Sequence, residues 1–203
     1  MTTATASASA PSQMSAAAWA QLLLLGAIWG GSFFFARIAV AEIHPLALVL
    51  LRVGIAAAAL HVYLMARGLN FAPAWQRAGS FFLLALLNNV IPFSLIFAGQ
   101  TKIGAGLASV LNATTPFWTI VVAGALGDER PSWNKIAGIL LGIAGTAVLV
   151  GPGLISGLEG PTWPKLATIG ASLSYAFALV YARRRFRDLP APLVATGQLT
   201  ARR

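Results

Sequence analysis

Six long apolar stretches follow one another along the chain, separated by short gaps rich in Gly, Pro and charge. The stretches run from Ala18 to Phe35, Pro45 to Met65, Gly79 to Gly99, Ala105 to Leu126, Trp133 to Val150 and Pro164 to Tyr181. A helix that crosses a bilayer needs about 20 mostly apolar residues. The runs are continuous and rich in Leu and Ala, without the period-2 alternation of barrel strands, so they predict helices. A seventh apolar stretch opens near Pro192. The pattern therefore predicts an all-α membrane protein, a bundle of transmembrane helices.

Composition sharpens that picture. Of 203 residues, 58% are hydrophobic and 9% charged, against the ~25% charged residues of a soluble domain. The net charge is +9, yet Lys and Arg lie mostly in the gaps rather than on one polar face, which argues against nucleic-acid binding and for charges that orient a membrane protein. With an N-terminus in the cytoplasm, the inner gaps hold Arg67, Arg77, Arg130, Lys135, Arg183, Arg184, Arg185 and Arg187. The outer gaps then hold Arg37, Lys102 and Lys165. This imbalance predicts a multi-pass protein with a cytoplasmic N-terminus. Residues 1–17, made of Ala, Ser and Thr with one Pro, are expected to form a disordered tail.

Catalysis has little to work with. Glu42, Asp128, Glu129, Glu159 and Asp188 all fall in gaps or at helix ends, cysteine is absent, and no metal-ligand spacing or nucleophile motif occurs. No enzyme activity, cofactor or metal is expected. Polar residues inside the apolar runs are the better candidates. Arg52 lies seven residues after Pro45, about 10 Å into its helix, where a charge costs about 2.5–3.5 kcal/mol. It faces a cavity or polar partner, or snorkels to the surface. In the fourth run Ser109, Asn112, Pro116 and Thr119 fall within about 80° on a continuous helix. In the third, Asn89, Pro92, Ile96 and Gln100 share a face. Both faces carry a proline, which removes a backbone donor. In the first, Trp29 and Ser32 share a face with Phe33. A substrate cavity and plain interhelical hydrogen bonding both account for such stripes. The candidate substrate-binding set is Trp29, Ser32, Arg52, Asn89, Ser109, Asn112 and Pro116. The G-x-x-x-G pairs Gly26/Gly30 and Gly138/Gly142 are expected at close helix contacts.

An internal repeat is suggested by Gly26–Arg37 laid over Gly170–Arg183, with His44-Pro45-Leu46 over Ala191-Pro192-Leu193. A five-helix unit would invert its second copy, an architecture that recurs in secondary transporters.

Trp29-Gly30-Gly31-Ser32-Phe33 with Arg37, Leu51-Arg52 with Ala56–Ala59, Ala105–Pro116, Gly127-Asp128-Glu129-Arg130 and Gly138–Gly145 together resemble the EamA-type branch of the drug/metabolite transporter superfamily. The resemblance covers residues 18 to about 200. It implies a ten-helix carrier of small organic metabolites, often an exporter, in a bacterial inner membrane. On that pattern residues 18–151 form a first five-helix repeat and residues 163–203 an incomplete second repeat, so the chain reads as truncated. A small-molecule metabolite and the lipid bilayer are the expected partners, with room for a homodimer. The alternative is a membrane packing or regulatory module, or an inactive fragment. A single copy of this chain is expected not to transport on its own.

Overall fold

The computed structural model describes residues 15–128, 132–151 and 158–200. Residues 1–14, which hold most of the expected tail, and residues 129–131, 152–157 and 201–203 lie outside the described residues.

The described residues form helices throughout, with no strand among them. In order they are α1 (Ala16–Glu42), α2 (Pro45–Ala66), a short α3 (Ala72–Trp75), α4 (Ala78–Ala85) and α5 (Ile91–Gln100). There follow α6 (Ala105–Asn112), α7 (Thr115–Ala125), α8 (Trp133–Val150), α9 (Thr162–Arg185) and α10 (Ala191–Thr200). Among the described residues five segments are long and apolar enough to cross a membrane: Ala16–Glu42, Pro45–Ala66, Ala78–Gln100, Ala105–Ala125 and Thr162–Arg185. Trp133–Val148 is a shorter apolar helix. α1 begins at Ala16, inside the expected tail, and runs to Glu42, so Arg37 sits within the helix rather than at its end. The chain divides into two units, the first ending at Ser32 and the second beginning at Phe33.

Large apolar side chains remain outside. Leu50 is 74% exposed and Val148 80%, and Leu23, Ile55, Met65 and Leu141 are similarly uncovered. Such surface is intolerable in water on this scale and ordinary against lipid. The protein is a multi-pass helical membrane bundle.

Local chemistry sets the element ends. Pro45 opens α2 at a position where its missing N–H costs nothing, and the His44 ring accepts from the Leu46 amide at 3.3 Å. Gly68 (φ +62°) and Gly127 (φ +74°) close α2 and α7 in the left-handed region.

The packing centre of the second unit is α9. It lies against α5, α6, α7, the turn at Leu86–Val90 and α4. Its buried positions are small: Ala171, Ser172, Ser174, Ala176 and Ala178, with Val180. Ala171 joins Ala36, Val40, Val49, Ile96 and Phe97, while Ala176 and Val180 join Val122 and Ala123. Without a hydrophobic drive between helices in lipid, close approach through small residues is what gives such a helix its neighbours. α10 packs on α2, α3 and α4, and Phe81 stacks on Phe186 with ring centroids 4.3 Å apart. The G-x-x-x-G pair of α8 behaves otherwise than expected: among the described residues no atom lies within 4 Å of a Cβ built at Gly138 or Gly142.

One end of α9 is tied by charge. Arg77 forks onto the Asp188 carboxylate and also donates to the Arg185 carbonyl at 3.0 Å. Arg184 forks onto Asp128 and donates to the Leu126 carbonyl at 2.8 Å. The turn between α3 and α4 and the loops after α7 and α9 therefore meet. Hydrogen bonds from the Arg77 guanidinium hold the Asp188 carboxyl below its ordinary range, and those from Arg184 do the same for Asp128. A depressed carboxyl pKa contributes stability that is present above the unfolded value and lost as pH falls through the lower folded value. Asp188→Asn should therefore lower the melting temperature at pH 7, modestly because the pair is solvent-screened, and the difference from the parent should shrink at acid pH. A constant difference across the titration would contradict this account.

Candidate functional site

The third span carries a defect where sequence periodicity assumes a continuous helix. Between α4 and α5, Leu86–Val90 form a π-helical turn, in which the Ile91 amide donates to the Leu86 carbonyl five residues back. In that register the next donor, for the Leu87 carbonyl, would be residue 92. Pro92 has no N–H. The Ser174 hydroxyl of α9 donates to Leu87 O instead, at 2.7 Å. Single π turns inside α-helices occur frequently at functional sites.

The fourth span breaks as well. α6 ends at Asn112, Ala113 and Thr114 form a turn, and α7 restarts at Thr115. Pro116 cannot donate to the Asn112 carbonyl, and the Thr115 hydroxyl does so at 2.7 Å. The Leu111 carbonyl accepts from Thr114 Oγ1 at 2.6 Å and from the Ser172 hydroxyl of α9 at 3.2 Å. Ser172 and Ser174 are two residues apart, about 200° around α9, so one helix reaches both broken spans from opposite faces.

Buried polar atoms gather along these breaks. Asn89 is 6% exposed and Asn112 8%. Asn89 Nδ2, Asn112 Oδ1, Ser94 Oγ, Gln100 Oε1 and Trp118 Nε1 are buried with no hydrogen-bond partner. Gln100 spends its other end on the Phe33 carbonyl, at 2.9 Å. Unmet donors and acceptors in a low-dielectric interior are costly, about 1–3 kcal/mol each, unless water or another polar group meets them. All five lie on α5, α6, α7 or the π turn, the elements that pack on α9.

Asn89 sits in the π turn and Asn112 is the last residue of α6, both on segments packed against α9. Ser109 is half-buried and donates to the Gly106 carbonyl at 2.8 Å. Pro116 is exposed at the start of α7. The turn at Ala113–Thr114 interrupts the helix, so the face expected to join Ser109, Asn112, Pro116 and Thr119 does not run through as one helical stripe. On the third span Asn89, Pro92, Ile96 and Gln100 are all buried. Arg52 is exposed, with its guanidinium carbon 4.6 Å from the Phe93 ring centroid, and Phe93 in turn meets Tyr175 edge-on at 6.3 Å. This cation–aromatic contact offsets part of the cost of a charge at that depth. Trp29 and Ser32 belong to the first unit, where Trp29 is 59% exposed at the middle of α1.

Sequence reading singled out neither Ser94 and Trp118 nor Ser172 and Ser174 as functional. Serines in a run of Ala and Gly look like packing residues; only the fold shows that Ser174 meets the carbonyl left by Pro92 and that Ser172 meets Leu111 O at the break in the fourth span. Among the described residues, no group of three His, Asp or Glu could hold a metal ion.

Residues 16–151 match the EamA-like transporter family. The chain is 29% identical over 163 residues to a protein named "Uncharacterized inner membrane transporter YedA" from Escherichia coli, covering 80% of this chain and 52% of that one. It is 22% identical over 162 residues to "Uncharacterized transporter YoaV" of Bacillus subtilis, covering 80% and 56%. Over 80 residues it is 32% identical to a "Probable terminal-alkyne amino-acid exporter" of Streptantibioticus cattleyicolor, covering 39% and 27%. The chain thus spans about half the length of the first two. No solved structure matches it.

Proposed function

Since the chain belongs to the EamA-like transporter family, we propose that it serves a carrier moving small organic metabolites across a bacterial inner membrane, in the export direction. Family membership carries this reading. The polar, proline-broken centres of the third and fourth spans support it, because a substrate crossing a bilayer needs polar contacts near the midplane. Asn89 and Asn112 are the central contacts of the second unit, with Arg52, Ser109 and Pro116 as its further candidates; Trp29 and Ser32 are candidates of the first unit. Residues 18–151 form one repeat on this reading, and residues 163–203 begin a second. The work is binding and conformational change, with no bond chemistry and no cofactor. The name of the Streptantibioticus cattleyicolor relative favours a substrate of amino-acid type.

The test is flux. Inverted vesicles from cells expressing the protein from its own gene should accumulate labelled amino acids or related small carboxylates in a saturable way, above vesicles from a deletion strain. Equal uptake by the two across the panel would overturn the proposal.

Two further outcomes are expected. With the N-terminus inside, reporter fusions at Asn70 and Gly157 should report cytoplasm and exterior respectively; the opposite pattern would reverse the topology. A water-soluble thiol reagent should modify Asn112→Cys in membranes and spare Val121→Cys, which sits on the exposed apolar side of α7. Because the native chain has no cysteine, any labelling reports the introduced site alone. Equal labelling at both positions would count against a water-accessible path at Asn112.

A further inference from the structure

The π turn in the third span has two ways of pairing its carbonyls, and they differ in what they require from the rest of the chain. In the observed register Ile91 N donates to Leu86 O, and Leu87 O is left to Ser174. In ordinary α-helical register the Ile91 amide would pair with Leu87 O, four residues back, and Asn88 O would face the donor-less Pro92. Either way Pro92 orphans one carbonyl; the register decides which. The π register therefore persists where an outside donor meets Leu87 O. Moving between registers takes one residue out of the turn and rotates the flanking side chains by about 100°.

A second contact grips the same turn. Asn88 Nδ2 donates to Gln198 Oε1 of α10 at 2.9 Å. Two consecutive residues, Leu87 and Asn88, are thus held from α9 and α10, which lie roughly 80–110 residues further along the chain. The next residue is Asn89, buried with its Nδ2 unpartnered.

We propose that Ser174 is a positioning residue that selects the π register of the third span and so sets the direction in which Asn89 is presented. Withdrawal of α9 removes the donor, favours the α register and turns Asn89 off its present face. The orientation of a substrate-facing amide is then coupled to the position of α9. That last consequence rests on the transport reading; the register selection does not. Ser172 has no such role, since Leu111 O keeps donors from Thr114 when the Ser172 hydroxyl is removed.

The test uses proximity of residues 88 and 198 in native membranes, read without any substrate. Asn88→Cys with Gln198→Cys should join rapidly through a short bifunctional methanethiosulfonate. Ser174→Ala should slow that cross-link by about 5-fold, the effect of one lost buried hydrogen bond, and Ser174→Thr should restore it. Ser172→Ala should leave the rate unchanged. Pro92→Ala supplies the missing N–H, so in that background Ser174→Ala should have little effect. This double substitution also covers the case in which Ser174→Ala alone fails to accumulate. An unchanged rate in Ser174→Ala, or the same loss with and without Pro92, overturns the proposal. Cross-linking that follows Ser174 in a protein without measurable flux would sink the transport reading and leave the positioning role standing.

Discussion

Asn112→Leu is expected to reduce saturable flux by at least about 10-fold while leaving the melting temperature unchanged or raised. The two halves of this result have one cause. Asn112 is 8% exposed, and its Oδ1 has no hydrogen-bond partner. An unmet buried acceptor lowers stability, and an apolar side chain of similar volume removes that cost. The Thr115 hydroxyl bond to the backbone carbonyl of residue 112 does not involve the side chain, so the turn survives the substitution. If the amide is retained for a substrate, activity and stability move in opposite directions, the usual signature of a residue kept for function. Flux and thermal stability measured on the same preparation decide the matter. A parallel fall in both would make Asn112 a structural residue.

Gly99→Val should produce a large loss of stability, about 1–3 kcal/mol or more, seen as early aggregation in a detergent melting assay followed by size exclusion. A Cβ at Gly99 would lie 3.0 Å from the Pro164 carbonyl oxygen and 3.1 Å from Thr168 Oγ1. Pro164 O is backbone, and Thr168 is fully buried and hydrogen-bonded to it at 2.9 Å, so neither can yield cheaply. Valine's two further carbons would push α5 off α9 at the contact that anchors the third span. Gly138→Val is the control. No atom lies within 4 Å of its Cβ position, and the change should be close to neutral. Equal effects at the two glycines would refute the packing scheme. Gly197 is a second tight site, its Cβ position lying 2.6 Å from a ring carbon of the buried Phe81.

The contrast among glycines shows where sequence reading reached its limit. Gly138 and Gly142 fit a known spacing and meet none of the described residues, whereas Gly99, in no recognised motif, is pressed against α9. Spacing says which residues share a face. It does not say what lies opposite that face. The same limit explains the fourth span. Proline at 116 announced a disturbed helix, but the turn at Ala113–Thr114 and the change of phase across it depend on hydroxyl bonds that Thr114, Thr115 and Ser172 form only in the folded chain.

The sequence by itself determined that this protein lives in a bilayer, which of its segments are long and apolar, and that polar residues and prolines interrupt two of them. Those properties are local: hydropathy over about 20 residues and the missing N–H of proline need no tertiary contact. It also carried enough ordered motifs for the family to be recognised. Tertiary structure alone decided that α9 is the hub, that Ser174 serves a carbonyl 87 residues away, and that Arg77 and Arg184 choose Asp188 and Asp128. In lipid every apolar face is equally content, so hydrophobicity does not choose partners. Small residues and single hydrogen bonds do, and their effect exists only once the helices have met.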